Sequence, residues 1–190
     1  GEKSYTCNQF SLSSERPMIG FCPGAEFGPA KRWPHYHYAE LAKQLIDEGY
    51  QVVLFGSAKD HEAGNEILAA LNTEQQAWCR NLAGETQLDQ AVILIAACKA
   101  IVTNDSGLMH VAAALNRPLV ALYGPSSPDF TPPLSHKARV IRLITGYHKV
   151  RKGDSVQGYH QSLIDIQPEQ VMAALEKQLS ACQNSVSEAD

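Results

Sequence analysis

The sequence predicts an α/β fold, a single Rossmann-like domain with a parallel sheet and helices on both faces. Three observations carry that prediction. Short apolar runs alternate with helical stretches of roughly 10–15 residues, the pattern of repeated βαβ units. Runs such as VVLF at 52–55 and PLVALY at 118–123 are apolar at consecutive positions, as strands covered on both faces require. Glycine or proline closes most of these runs, as at Pro23-Gly24, Gly56 and Gly124-Pro125.

Residues 1–16, GEKSYTCNQFSLSSER, are polar and aperiodic and read as a linker. Residues 18–22 form the first strand. Tyr38, Leu41, Ala42 and Leu45 have helical spacing within a helix over 35–48, and Gly49 suits its C-terminal cap. Val52–Phe55 is the second strand. The helix over 60–71 carries Ala63, Ile67, Leu68 and Leu71 on one face. A short strand over 78–82 precedes a helix marked by Leu88, Ala91, Val92 and Ile95. Strand 100–103, helix 108–115 and strand 118–123 follow. A proline-rich loop, SSPDFTPPLSHK, leads to a last strand over 140–144. Residues 145–162 read as irregular. Pro168 opens a C-terminal helix to about Leu179, since its missing N–H is harmless in a first turn. The domain is thus assigned to 17–182, and the polar end over 183–190 to a disordered tail.

With 190 residues, the chain can bury roughly 70% of its unfolded surface and needs no covalent staples. Its net charge of −4 argues against a general nucleic-acid binder, which requires clustered Lys and Arg. The five cysteines form no CxxC pair, and Cys22 and Cys98 sit in apolar runs, which fits a reducing compartment. No apolar run reaches the roughly 18 residues of a transmembrane span.

Ligands of open α/β sheets bind beyond the carboxyl ends of the strands, and four such ends carry suggestive residues. CPGAEFGPAKRWP, at 22–34, offers loop amides with Lys31 and Arg32, a set suited to an anion. It lacks the ending of a Walker loop and could equally be a solvated surface loop. FGSAKDHE, at 55–62, places Asp60 and Glu62 in a first helical turn. Such acids can bind ribose hydroxyls or merely complement the helix dipole. In LAGETQL, at 82–88, Glu85 or Thr86 reads first as a helix cap. The fourth end is TNDSGLMHVAAAL, at 103–115. Ser106 suits an N-cap there, and Gly107 would let a ligand reach the backbone. His110 follows one turn later, as either a ligand contact or a core histidine. Asp105 would repel phosphate and so fits sugar hydroxyls, leaving the amides to an anion. No GxGxxG, HExxH, Cys/His cluster or GxSxG is present, so neither a nicotinamide site, a metal site nor a hydrolase elbow can be named.

PGAEFGPAKRWP, TNDSGLMHVAAAL and PLVALYGPSSP, in this order, resemble the C-terminal half of bacterial ADP-heptose:lipopolysaccharide heptosyltransferases. The likeness covers residues 17–180, and the long first loop is most similar to that of the type II members. It implies a GT-B enzyme with two Rossmann-like domains, of which this chain is the donor-binding one. Lys31, Ser106, Gly107 and His110 would then surround the diphosphate, and Asp105 the heptose. Gly24, Ala25, Glu62 and Thr86 would meet the nucleotide, Gly24 and Ala25 through backbone. The spacing at Glu62 is one residue longer than the family's, which keeps Asp60 in contention for the ribose. No cofactor or metal is implied. The partners implied are ADP-heptose or ADP and, through an N-terminal domain outside this chain, the lipopolysaccharide acceptor. That domain would also supply the catalytic base, and residues 1–16 would be a remnant of the segment joining the two. The implied setting is cytoplasmic, with room for a peripheral contact at the inner face of the inner membrane. A non-catalytic nucleotide-binding module of the same fold is the alternative.

Overall fold

The strands are β1 (Met18–Cys22), β2 (Gln51–Leu54), β3 (Cys79–Asn81), β4 (Ala100–Asn104), β5 (Leu119–Tyr123) and β6 (Ala138–Arg142). In the computed structural model they form one sheet of order β3-β2-β1-β4-β5-β6, with every neighbouring pair parallel. The parallel sheet is as the sequence predicts, and its strand order is the doubly wound one. The described residues are 1–26, 28–126, 128, 132–133, 135–144 and 153–188, with backbone alone for 182–188. Residues 127, 129–131 and 134 of the proline-rich loop, 145–152 of the irregular stretch and 189–190 of the tail lie outside them.

The helices are α1 (Glu2–Gln9), α2 (His35–Asp47), α3 (His61–Ala69), α4 (Thr73–Gln76), α5 (Leu88–Ala97), α6 (Gly107–Ala114), α7 (Gln161–Ile164) and α8 (Pro168–Glu188). Side chains alternate across a pleated strand, so each strand feeds two cores. Ile19, Phe21, Val52, Leu54, Val102 and Leu122 face one side, where Tyr38, Leu41 and Leu45 of α2, Ile67 of α3 and Leu175 of α8 cover them. Cys22, Val53, Ile101, Ala121 and Tyr123 face the other, under Leu94 and Ile95 of α5 and Met109 of α6. Gly49 ends α2 with φ +100°, a conformation that favours glycine, and its N–H donates to Ile46 at 3.0 Å.

Three sequence expectations are corrected. Residues 1–16, read as polar and aperiodic, are not without regular structure. They contain α1, which packs on α5, and they bury Thr6 and Leu12. Their few apolar residues, Cys7, Phe10 and Leu12, lie close together in the middle of the segment and join the α5 side of the core. The backbone of 183–188 continues α8 rather than forming a disordered tail, because no glycine or proline follows Pro168 to break it. The last strand is Ala138–Arg142 rather than 140–144. Pairing of Leu119 with Ala138 sets its start, and as an edge strand it need not bury every residue.

Gly20 lies in the middle of β1. A Cβ there would stand 2.6 Å from Ile101 Cδ1 and 3.2 Å from Cys98 Sγ, both fully buried. Gly20→Ala is therefore expected to destabilise the fold by about 1–3 kcal/mol through overpacking. Urea denaturation checks this, and an unchanged midpoint would show that the core yields at this point.

Candidate functional site

The chain leaves β1 to form β2 on one side of the sheet and later returns to form β4 on the other. The loops after β1 and β4 therefore diverge and open a crevice at the carboxyl ends. A cleft of about 500 Å³ occupies that position. Gly24 and Ala25 line it from the β1 loop, Ser57, Lys59 and Asp60 from the β2 loop, and Ser106 and Gly107 from the start of α6.

The β1 loop runs from Pro23 into a 3-10 turn at Pro29–Lys31, entered through Gly28 at φ +93°. Its two ends are held by one side chain. Asn104, fully buried at the end of β4, donates through Nδ2 to the carbonyls of Pro23 at 2.7 Å and Gly24 at 3.1 Å. Its Oδ1 accepts from the Trp33 N–H at 3.0 Å and the Tyr38 hydroxyl at 2.8 Å. Lys31 is half-buried at the end of the turn and is not among the cleft-lining residues.

The two acids of the β2 loop part company. Asp60 lines the cleft, and its Oδ2 accepts from the Ser57 N–H at 2.9 Å and the Ser57 hydroxyl at 3.2 Å, a reciprocal cap on the 3-10 turn Ala58–Asp60. Its Oδ1 lies 3.6 Å from Nη2 of Arg32. Glu62 is exposed in the first turn of α3, outside the cleft lining.

After β3, neither Glu85 nor Thr86 caps the next helix. Gln87 holds the cap position of α5 with an extended backbone, and its N–H donates to the Gln90 side chain at 2.8 Å. The cap sits there because Gln90 is the residue spaced to return the bond. Thr86 is half-buried and outside the cleft lining, whereas Leu88, 68% exposed, forms part of the wall.

At α6, Ser106 takes the N-cap position, with φ −151° and ψ 167°, but its hydroxyl does not cap. It lies 3.3 Å from Thr103 Oγ1 instead. The amides of Gly107 and Leu108 consequently have no acceptor among the described residues, and both residues line the cleft. Open first-turn amides at a helix start favour an anion. Asp105 is half-buried between strand and helix. His110 is exposed rather than packed in the core, and it lies outside the cleft lining. Cys22, at the cleft floor, has its thiol pushed up to about 12 by burial, so it is neutral at physiological pH and no nucleophile.

Sequence reasoning thus brings Gly24, Ala25, Asp60, Ser106 and Gly107 into one cleft and misses Asn104 and Lys59. Lys59 lay within a stretch already singled out, and exposure of the β2 loop was its signal. Asn104 had no local signal, because its partners are 66 to 81 residues away in sequence. Among the described residues no group of three or more His, Cys, Asp or Glu could hold a metal ion. No described helix is long and apolar enough to cross a membrane.

Comparison with known proteins places this geometry in a family. The model for glycosyltransferase family 9 (heptosyltransferase) matches residues 1–160. The chain is 95% identical over 175 residues to lipopolysaccharide heptosyltransferase 2 of Escherichia coli K12, spanning 92% of this chain and 50% of that protein. It superposes on the solved structure of the E. coli ADP-heptose LPS heptosyltransferase II with a TM-score of 0.90 and 87% identity, covering 96% of this chain and 52% of that one. A family 9 glycosyl transferase from Veillonella parvula superposes with a TM-score of 0.79 and 30% identity, covering 95% and 51%. The chain belongs to glycosyltransferase family 9. It spans about half the length of the relatives it matches.

Removing the Asn104 side chain strands two buried donors and two carbonyls at once. Asn104→Ala is expected to cost roughly 3–5 kcal/mol. Asn104→Asp retains the acceptor but sets a carboxylate against the carbonyls of Pro23 and Gly24, and should also be destabilised. Thermal denaturation checks both. A loss below about 1 kcal/mol for Asn104→Ala would mean that water takes over its bonds.

Proposed function

We propose that this family 9 chain is the donor half of an inverting heptosyltransferase, binding ADP-heptose for transfer to the lipopolysaccharide inner core. The observation that carries the reading is the pair of unpartnered amides, Gly107 and Leu108, opening α6 into the switch-point cleft. ADP-heptose, for which the E. coli relative is named, is a dianionic diphosphate joined to a sugar, the kind of ligand such a helix start favours.

In the proposed complex the amides of Ser106 and Gly107, with that of Leu108 next to them, hold phosphate oxygens, and Lys31 and His110 lie beside them. Asp105 accepts from heptose hydroxyls, and backbone at Gly24 and Ala25 lies along the nucleotide. Glu62 takes the ribose and Thr86 lies near the adenine. The acceptor hydroxyl attacks the anomeric carbon on the face opposite the diphosphate. A carbon–oxygen bond forms there as the bond to the diphosphate breaks, and ADP departs with the electron pair. Lys31 and the α6 terminus lower the barrier by meeting the charge that grows on the leaving group. The acceptor's proton passes to a base outside the span of this chain. The proposed setting is the cytoplasm, at the inner face of the inner membrane, where the lipopolysaccharide acceptor would be met.

Calorimetric titration with ADP tests the donor site. The chain should bind ADP, and Lys31→Ala should weaken it roughly tenfold through loss of a charge-assisted contact. Gly107→Ala separates ligand from fold. Among the described residues beyond its chain neighbours and its own helix backbone, nothing lies within 4 Å of a Cβ at that position, so the melting temperature should hold. ADP affinity should nevertheless fall, because the methyl group stands where phosphate approaches. Unchanged affinity in both variants would remove the diphosphate from this cleft. Heptose transfer after adding the other half of the relatives' length tests the catalytic reading, and ADP binding without transfer would favour the non-catalytic module.

A further inference from the structure

We infer that Arg32 and Asp60 form a positioning pair that fixes the Lys31 turn to the β2 loop, and that Asp60 is not the ribose ligand. The inference rests on the donor-site reading above. Asp60 stands where three segments converge. Its Oδ2 is held by both donors of Ser57, and its Oδ1 faces Arg32 at 3.6 Å. The backbone of two glycines closes over it. A Cβ at Gly24 would lie 2.1 Å from Asp60 Oδ1, and one at Gly56 would lie 2.7 Å from Asp60 Oδ2. The carboxylate is thus wedged between the β1 and β2 loops.

Arg32 is set by the same contact. The side chains of Arg32 and Asp60 are only 20% and 14% exposed, so the pair is shielded from solvent more than an ordinary surface bridge. Arg32 Nε is buried and has no acceptor among the described residues, which leaves the Asp60 carboxylate as the ion-pair partner of the guanidinium. The Arg32 backbone is extended, with φ −104° and ψ 136°, directly after the turn that carries Lys31. Its N–H closes that turn on the Pro29 carbonyl at 3.0 Å. On its other side, Trp33 is pinned by Asn104. Arg32 is therefore the link between an anchored strand end and the Lys31 turn, and Asp60 decides where that link sits. Two acids of one helical turn thereby separate in role, with Asp60 orienting the loop and Glu62 left to the ribose.

Titration of the chain with ADP, 2′,3′-dideoxy-ADP and inorganic pyrophosphate, well below the melting temperature, tests the pair. Arg32→Ala and Asp60→Asn should each weaken all three ligands by a similar factor, at least about fivefold. The double variant should be no weaker than either single one, and Arg32→Lys should recover part of the affinity. A loss in Asp60→Asn confined to ADP would make Asp60 a ribose ligand and overturn the inference. So would lowered melting temperature with unchanged affinities, which is what a merely structural pair predicts. A wild-type chain that binds none of the three fails at the donor site itself and removes the basis of both readings.

Discussion

The Asn104 amide brings one acceptor oxygen and one NH2 group to a position that solvent does not reach, and four neighbours use them. Aspartate has no NH2 for the two carbonyls, and leucine could serve none of the four. The bonds join the end of β4 to both ends of the β1 loop and to Tyr38 in α2. Tyr38 in turn packs against Phe21 at 5.2 Å and edge-on to Trp33 at 4.8 Å. The core on the α2 side and the wall of the cleft are thus one structure. A disturbance at Asn104 reaches the loop that lines the cleft and the helix beneath it together.

With the loop held in this way, the polar groups around the cleft fall into two sets. The Asn104 amide, the Asp60 carboxylate and the Ser57 donors are satisfied within the chain. The first amides of α6 have no acceptor among the described residues, and Ser106 turns its hydroxyl toward Thr103. Buried or half-enclosed donors are costly to leave unpaired, and proteins satisfy nearly all of them. Ser106 is thus an N-cap residue whose hydroxyl is engaged elsewhere, beside a cleft in which the Asp60 carboxylate is already held by Ser57.

The sheet was legible because each inner strand is apolar on both faces, a requirement visible residue by residue in VVLF and PLVALY. The strand at the β6 margin was less legible, whereas β3 falls within the stretch 78–82 read for it. Edge strand β6 is half-exposed, so hydrophobicity misplaced it toward Leu143 and Ile144. Helix α1 escaped because its helical segment buries only Thr6, and stability there comes from contact with α5 rather than from an amphipathic pattern. At the site, residues announced by their own neighbours were found, as with Gly107 after Ser106. Residues defined by distant partners were not. Asp60 could be read from its turn as a cap or a ribose ligand, but its pairing with Arg32 spans two loops that only the sheet order brings together.

Three glycines around the cleft make the same point from the backbone. Gly24 and Gly56 have no room for a side chain because Asp60 occupies the space each Cβ would need. Their identity is explained by the protein alone. Gly107 differs, since among the described residues beyond its chain neighbours and its own helix backbone nothing lies within 4 Å of its missing Cβ, and its φ is not in the left-handed region. Alanine would fit there and would favour the helix. Neither steric nor conformational need within the fold accounts for glycine at that position. In the proposed complex the bare backbone there lets a phosphate oxygen approach the first amides of α6, and on that reading the glycine is accounted for.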